Sequence, residues 1–145
     1  MKKVILIVII LAIAIGGWYA YSEYNRTNVD LQDKKAEFTL NATELISSFE
    51  KDSATANKQY VDKIIEVSGR VKKIDAEGNP VVISLGQEGV MSTVQCSMDS
   101  THANDYKIVK KGTMVTIKGM LNGAISDEMF GTDVKLNRCV IQTKD

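Results

Sequence analysis

The fold turns on Ile64-Ile65-Glu66-Val67-Ser68-Gly69-Arg70-Val71-Lys72. Successive side chains of an extended chain point to opposite faces. Ile65, Val67, Gly69 and Val71 therefore make one apolar face, and Glu66, Ser68, Arg70 and Lys72 one polar face. Such a strand lies with one side on a core and the other in water. Gly69 interrupts the apolar face, which predicts a bulge or sharp bend of the kind a strand needs when it curls to join two sheets.

The period of two recurs downstream. Gly78-Asn79-Pro80 predicts a turn, Val81, Ile83 and Leu85 then alternate inward, Gly86 and Gly89 interrupt, and Val94, Cys96 and Met98 form the inner face of a third strand. A polar interval, Asp99 to Lys111, contains a short helical turn around Tyr106 to Val109. Lys111-Gly112 opens a fourth strand with Val115 and Ile117 inward, and a glycine-containing loop spans Asn122 to Gly131. The fifth strand points Val134 and Leu136 inward, then changes phase to Cys139 and Ile141, which requires a bulge near Asn137 and Arg138. Upstream, Asn41 and Glu44 have capping-box spacing, and Leu45, Ile46 and Phe49 recur along one helical face. A helix is expected from Ala42 to about Val61, with a break around Asp52 and Ser53 and its apolar side on a sheet.

A helix, three strands, a linker with a helical turn and two further strands is the order of the mainly β, five-stranded Greek-key OB barrel, which escapes exposed edges by partial closure. Leu45 and Phe49, Tyr60, the run Lys63 to Gly69, Val94-Gln95-Cys96, Lys111 to Gly119, Val134-Lys135-Leu136 and Cys139-Val140-Ile141 together resemble the tRNA_anti-like family of bacterial OB-fold proteins. The resemblance covers Asn41 to Ile141. It implies an OB barrel, often on an exported or membrane-attached protein, with no settled activity.

Before this domain, Lys2 and Lys3 precede an apolar run from Val4 that ends in Trp18, Tyr19, Ala20 and Tyr21. As a helix those residues reach about 27 Å, close to the thickness of a bilayer's hydrocarbon core. Lysines favour the cytoplasmic side and interfacial aromatics the opposite headgroup boundary. The expected arrangement is thus a cytoplasmic 1–3, a single transmembrane helix over 4–21, a polar stalk over 22–40 and an extracytoplasmic OB domain over 41–145. A cleaved signal peptide is the rival reading, but a cut after Ala20 would leave bulky Trp18 three residues before it. A lipid anchor needs a cysteine just after the apolar run, and Cys96 and Cys139 lie far downstream, which excludes it.

The chain has 18 basic and 18 acidic residues, and from Asn41 onward 13 basic face 14 acidic, so no built-in attraction for polyanions exists. Cys96 and Cys139 are the only cysteines. Neighbouring third and fifth strands of an OB barrel place them close enough for a structural disulfide in an oxidising compartment, worth about 4 kcal/mol by chain entropy; two buried free thiols are the alternative. They lack CxxC spacing, and the lone His102 sits in a loop, so neither a metal site nor a redox centre is expected. Asp127, Glu128 and Asp133 surround the last loop, where a polar turn explains them as well as a cation would.

Three functions compete. An anchored OB domain suits a non-catalytic binding module of the cell envelope, in an inner-membrane protein, for a protein, peptide or glycan. Single-stranded nucleic-acid binding wants aromatics along strands two and three, and Val81 to Met98 contains none, although Lys72, Lys73, Lys107, Lys110 and Lys111 could form a local basic patch. An enzyme would need a nucleophile elbow, phosphate loop or zinc motif, and the sequence has none. No cofactor is expected.

Overall fold

In the computed structural model of the chain, residues 11–21 and 30–142 are described. Residues 11–21 form helix α1, within a compact unit of their own, Met1–Asp30, distinct from the unit Leu31–Asp145. Among the described residues, no helix is long and apolar enough to cross a membrane. Lys2, Lys3 and residues 4–10 of the expected anchor lie outside the described residues, whereas Trp18, Tyr19 and Tyr21 are exposed on α1.

The second unit contains β1 (Phe38–Asn41), α2 (Ala42–Lys51), α3 (Ser53–Tyr60), β2 (Ile64–Asp75), β3 (Val82–Leu85), β4 (Thr93–Met98), β5 (Met114–Asp127) and β6 (Gly131–Gln142). Strands β2, β3, β4, β6 and β5 hydrogen-bond in that order, and β5 returns to β2 to close a five-stranded barrel. Its pairs are antiparallel except β4 with β6, which run parallel. This is the OB arrangement, with first, second and third strands in meander and the last two added by a crossover. The inward residues expected on β2, β3 and β4 are buried, and Leu45 and Phe49 of α2 close the barrel's interior.

Local chemistry shapes the helical lid. Asn41 Oδ1 accepts from the Glu44 amide at 2.8 Å, and Glu44 Oε2 accepts from the Asn41 amide at 3.2 Å, completing the capping box. Asp52 ends α2 and starts α3, its Oδ1 accepting from the Thr55 amide at 3.0 Å, so the helix breaks where the sequence indicated. The Thr55 hydroxyl and amide hold the Asp52 carboxyl below its ordinary pKa.

Three expectations need correction. The stretch taken as polar stalk is folded from Leu31 onward: Leu31 is buried, the Glu37 amide donates to the Ile64 carbonyl at 2.8 Å, and β1 pairs parallel with β2. Four residues with only Phe38 and Leu40 apolar are too short to show a period. The bend assigned to Gly69 lies elsewhere, because the β2–β3 register shifts between Val71 and Lys73. Gly69 instead admits the helix: a Cβ there would stand 3.0 Å from Ala42 Cβ and 3.1 Å from Leu85 Cβ. Finally, residues 122–131 are not a loop. Strand β5 runs through to Asp127, and its last three residues, Ile125 to Asp127, are exposed on both faces, which erases the alternation. The bulge near Asn137 and Arg138 is present, with the β5–β6 register shifting between Lys118 and Met120 and Arg138 at φ 55.

Candidate functional site

A groove of about 430 Å³ runs over the outer face of β2, β3 and β4 and is bordered by β6. Strand alternation, which sends Ile83, Val94 and Cys96 inward, leaves Ser84 and Gln95 facing this groove beside Lys72, Lys73 and Asp75. The parallel register of β4 and β6 sets Thr93 opposite Asp133. The Asp133 carboxylate accepts from Thr93 Oγ1 at 2.6 Å and from Gln95 Nε2 at 2.8 Å. Lys73 Nζ pairs with Asp75 at 3.3 Å, an exposed and weak ion pair, and Lys72 Nζ donates to the Val90 carbonyl. The groove thus carries two ammonium groups and two carboxylates, hydroxyl and amide dipoles, and no aromatic lining. It can hydrogen-bond a polar chain along its length, but it offers a polyanion no net charge and a base no stacking surface.

A larger concavity, about 900 Å³, lies along α2 beside Ser68, Arg70 and Gln87. As in the groove, much of its polar lining is engaged: Asn41 and Glu44 cap α2, Gln87 Nε2 donates to Thr43 Oγ1 at 3.3 Å, and Arg70 donates to the Gly112 carbonyl at 2.8 Å. OB barrels take ligands on the face of their second and third strands, flanked by the loops after the first and fourth, and here that face is the smaller groove.

Cys96 and Cys139 meet in the core as the sequence suggested, but the expected bridge is not formed, and both are buried free thiols. Burial, and then the adjacent Cys96, pushes the Cys139 thiol well above its ordinary pKa, which leaves it protonated and unreactive. Gly119 makes room for it, since a Cβ at 119 would lie 2.6 Å from Cys139 Sγ. His102, in the interval between β4 and β5, has a side chain only 16% exposed, and its Nδ1 lies 2.9 Å from Asp105 Oδ2. Nearby, the Thr101 amide and the Arg138 guanidinium, 3.6 Å away, hold the Asp99 carboxyl below its usual range. Asp127, Glu128 and Asp133 do not converge: Asp127 Oδ1 accepts from the Met129 and Phe130 amides, while Asp133 belongs to the groove. Among the described residues, no group of three or more metal-ligand side chains forms.

Sequence reading missed the Thr93–Gln95–Asp133 network, because 40 residues separate Thr93 from Asp133 and only the parallel register unites them. It also missed Ser92, whose hydroxyl donates to Glu50 Oε1 at 2.8 Å and accepts from the Thr132 amide at 3.0 Å, tying α2, the β3–β4 loop and β6 together.

The model of the tRNA_anti-like family matches residues 1–135, N-terminal segment included. The chain belongs to the tRNA_anti-like family. No curated protein matches it significantly. Among solved structures, this chain is similar in fold to a lipoprotein from Klebsiella pneumoniae subsp. pneumoniae MGH 78578 described as a candidate nucleic acid binder. The TM-score is 0.55 at 15% identity, covering 72% of this chain and 91% of that one. At that identity the likeness concerns the fold alone, and it agrees with the barrel described above. Weaker likenesses are to the OBody NL8 bound to hen egg-white lysozyme (TM-score 0.41, 15% identity, 57% of this chain and 98% of that one) and to a candidate aspartyl-tRNA synthetase from Leishmania major Friedlin (0.46, 10%, 90% and 26%).

Proposed function

We propose that this tRNA_anti-like protein is a membrane-tethered, extracytoplasmic binding module that holds a polar, near-neutral chain, an extended peptide or a glycan of the cell envelope, on the outer face of β2 to β4. The charge-balanced groove built around Asp133 carries this reading, since its hydrogen-bonding groups suit an uncharged polar ligand. The apolar run from Val4 to Tyr21 supplies the tether, with Lys2 and Lys3 cytoplasmic and Trp18, Tyr19 and Tyr21 at the outer headgroup boundary. A family match that starts at residue 1 supports counting that run as part of the family's architecture. The module binds without turnover.

The test uses the full-length chain in lipid vesicles, titrated with cell-wall glycan fragments, extended polar peptides and a short oligothymidylate. Binding of a glycan or peptide that is insensitive to salt and lost in Asp133→Ala supports the reading. Added protease should digest the domain from the outer side only of inside-in spheroplasts, which checks the topology. The second reading, single-stranded nucleic-acid binding, draws on Arg70, Lys72 and Lys73 along β2 and on the description of the Klebsiella neighbour. Oligothymidylate binding that weakens steeply with salt would favour it instead.

A further inference from the structure

The β5–β6 hairpin ends in a knob with no cover. Met129 and Phe130 are 80% and 67% exposed at its tip. The tip is held in one shape: Asp127 Oδ1 accepts from the amides of Met129 (2.8 Å) and Phe130 (3.1 Å), and Ser126 and Thr132 share a hydroxyl hydrogen bond at 3.0 Å just below. Directly beneath the tip the hairpin is joined to the body through Ser92, which accepts from the Thr132 amide. A rigid aromatic on a fixed turn, with Asp127 and Glu128 beside it, has the form of an interface anchor, because little conformational freedom is lost when it is buried.

The other end of the same hairpin carries the complement. Where β5 begins and β6 ends, a concavity of about 570 Å³ is lined by apolar Ile108, Val109, Met114, Val115 and Ile141 and by four polar residues, Ser68 and Gln142 among them. Ile108 and Met114 are each 65% exposed at its rim. Lys107, Lys110 and Lys111 flank those two residues in sequence, and all three are exposed. An apolar knob with acidic neighbours thus matches a socket with an apolar rim, Ile108 and Met114, and basic neighbours. The two lie at opposite ends of the 12-residue β6, so one copy cannot fill its own socket.

We propose that the knob of one copy seats in the socket of a second copy, joining these chains head to tail. Such a contact is heterologous, so it propagates into a ring or a short row and does not close as a symmetric dimer. It uses none of the groove residues around Asp133.

The experiment places a photoreactive benzoylphenylalanine at position 130 of the full-length chain in phosphatidylethanolamine–phosphatidylglycerol vesicles. Irradiation should give covalent dimers and higher species, with the linkage mapped to residues 106–116 or 141–142 of the second copy. Glu128→Lys and Lys110→Glu should each reduce the yield about fivefold, and the two mixed as separate chains should cross-link again, because the reversed charges then match. Both substitutions lie at exposed positions, and unchanged far-UV circular dichroism confirms folding. Adducts only to lipid, adducts mapping elsewhere on the domain, no adducts, or failure of the mixed reversed chains to recover would each overturn the proposal.

Discussion

The two halves of the β5–β6 hairpin differ in almost everything except their hydrogen bonding. In the lower half, Ile117, Leu121, Val134 and Leu136 are fully buried against α2 and the opposite strands. In the upper half, the ladder continues through Ile125 opposite Asp133 to Asp127 opposite Gly131, yet Ile125, Met129 and Phe130 face solvent. The ladder therefore runs the length of the hairpin, bulged between Lys118 and Gly123, and burial depends on whether another element lies across from it. The lower half supplies stability, and the upper half supplies surface with a shape.

That difference should show first in the size of mutational effects. Leu136→Ala, in the lower half, should cost about 3 kcal/mol by the lost transfer energy and the cavity left behind, read as a reduced urea midpoint by far-UV circular dichroism. A cost below about 1 kcal/mol would mean the barrel interior is loosely packed.

Gly119→Ala comes next, at about 1–3 kcal/mol, because the new methyl group would overlap Cys139 Sγ inside a filled core. Made in a Cys139→Ala background, the same change should cost markedly less. Additive costs across this cycle would show that the overlap is not the cause.

Asp99→Asn should destabilise by about 1–2 kcal/mol at pH 7, through weaker acceptance from the Thr101 amide and a lost attraction to Arg138. The folded pKa lies below the unfolded value of about 3.9, so this contribution is present above about pH 4 and disappears as pH falls through the folded value. Stability curves of the two proteins should converge in acid. A gap that persisted there would assign the effect to packing.

The smallest effect belongs to the upper half: Phe130→Ala should change stability by less than about 0.5 kcal/mol, since an exposed ring has little burial to lose. A loss comparable to that of Leu136→Ala would make the tip part of the core and erase the contrast between the two halves.

The barrel was largely legible because its signals are local. The alternation of Ile65, Val67 and Val71, the cap at Asn41, the break at Asp52 and the phase change before Cys139 each depend on residues within a few positions of one another. The site was barely legible. Asp133 looked like one of three acidic residues around a loop, and only its parallel pairing with Thr93 makes it the centre of a groove. Leu31 and β1 were assigned to a stalk because a short parallel edge strand draws its stability from β2 and carries too little pattern of its own.

The sequence by itself determined the chain order of the five barrel strands, their inward residues from β2 to β4 and the near-neutral charge, all of which follow from composition and period. Tertiary structure alone decided that Gly69 admits α2, that Gly119 admits Cys139, and that the β5–β6 turn leaves Met129 and Phe130 exposed. The physical reason is that alternation records which side of a strand is covered, whereas register and close approach are set by partners dozens of residues away. The same holds for the segment read first: Ile64 to Lys72 announced a strand, but its pairing with β1, β3 and β5 made it the seam of the barrel.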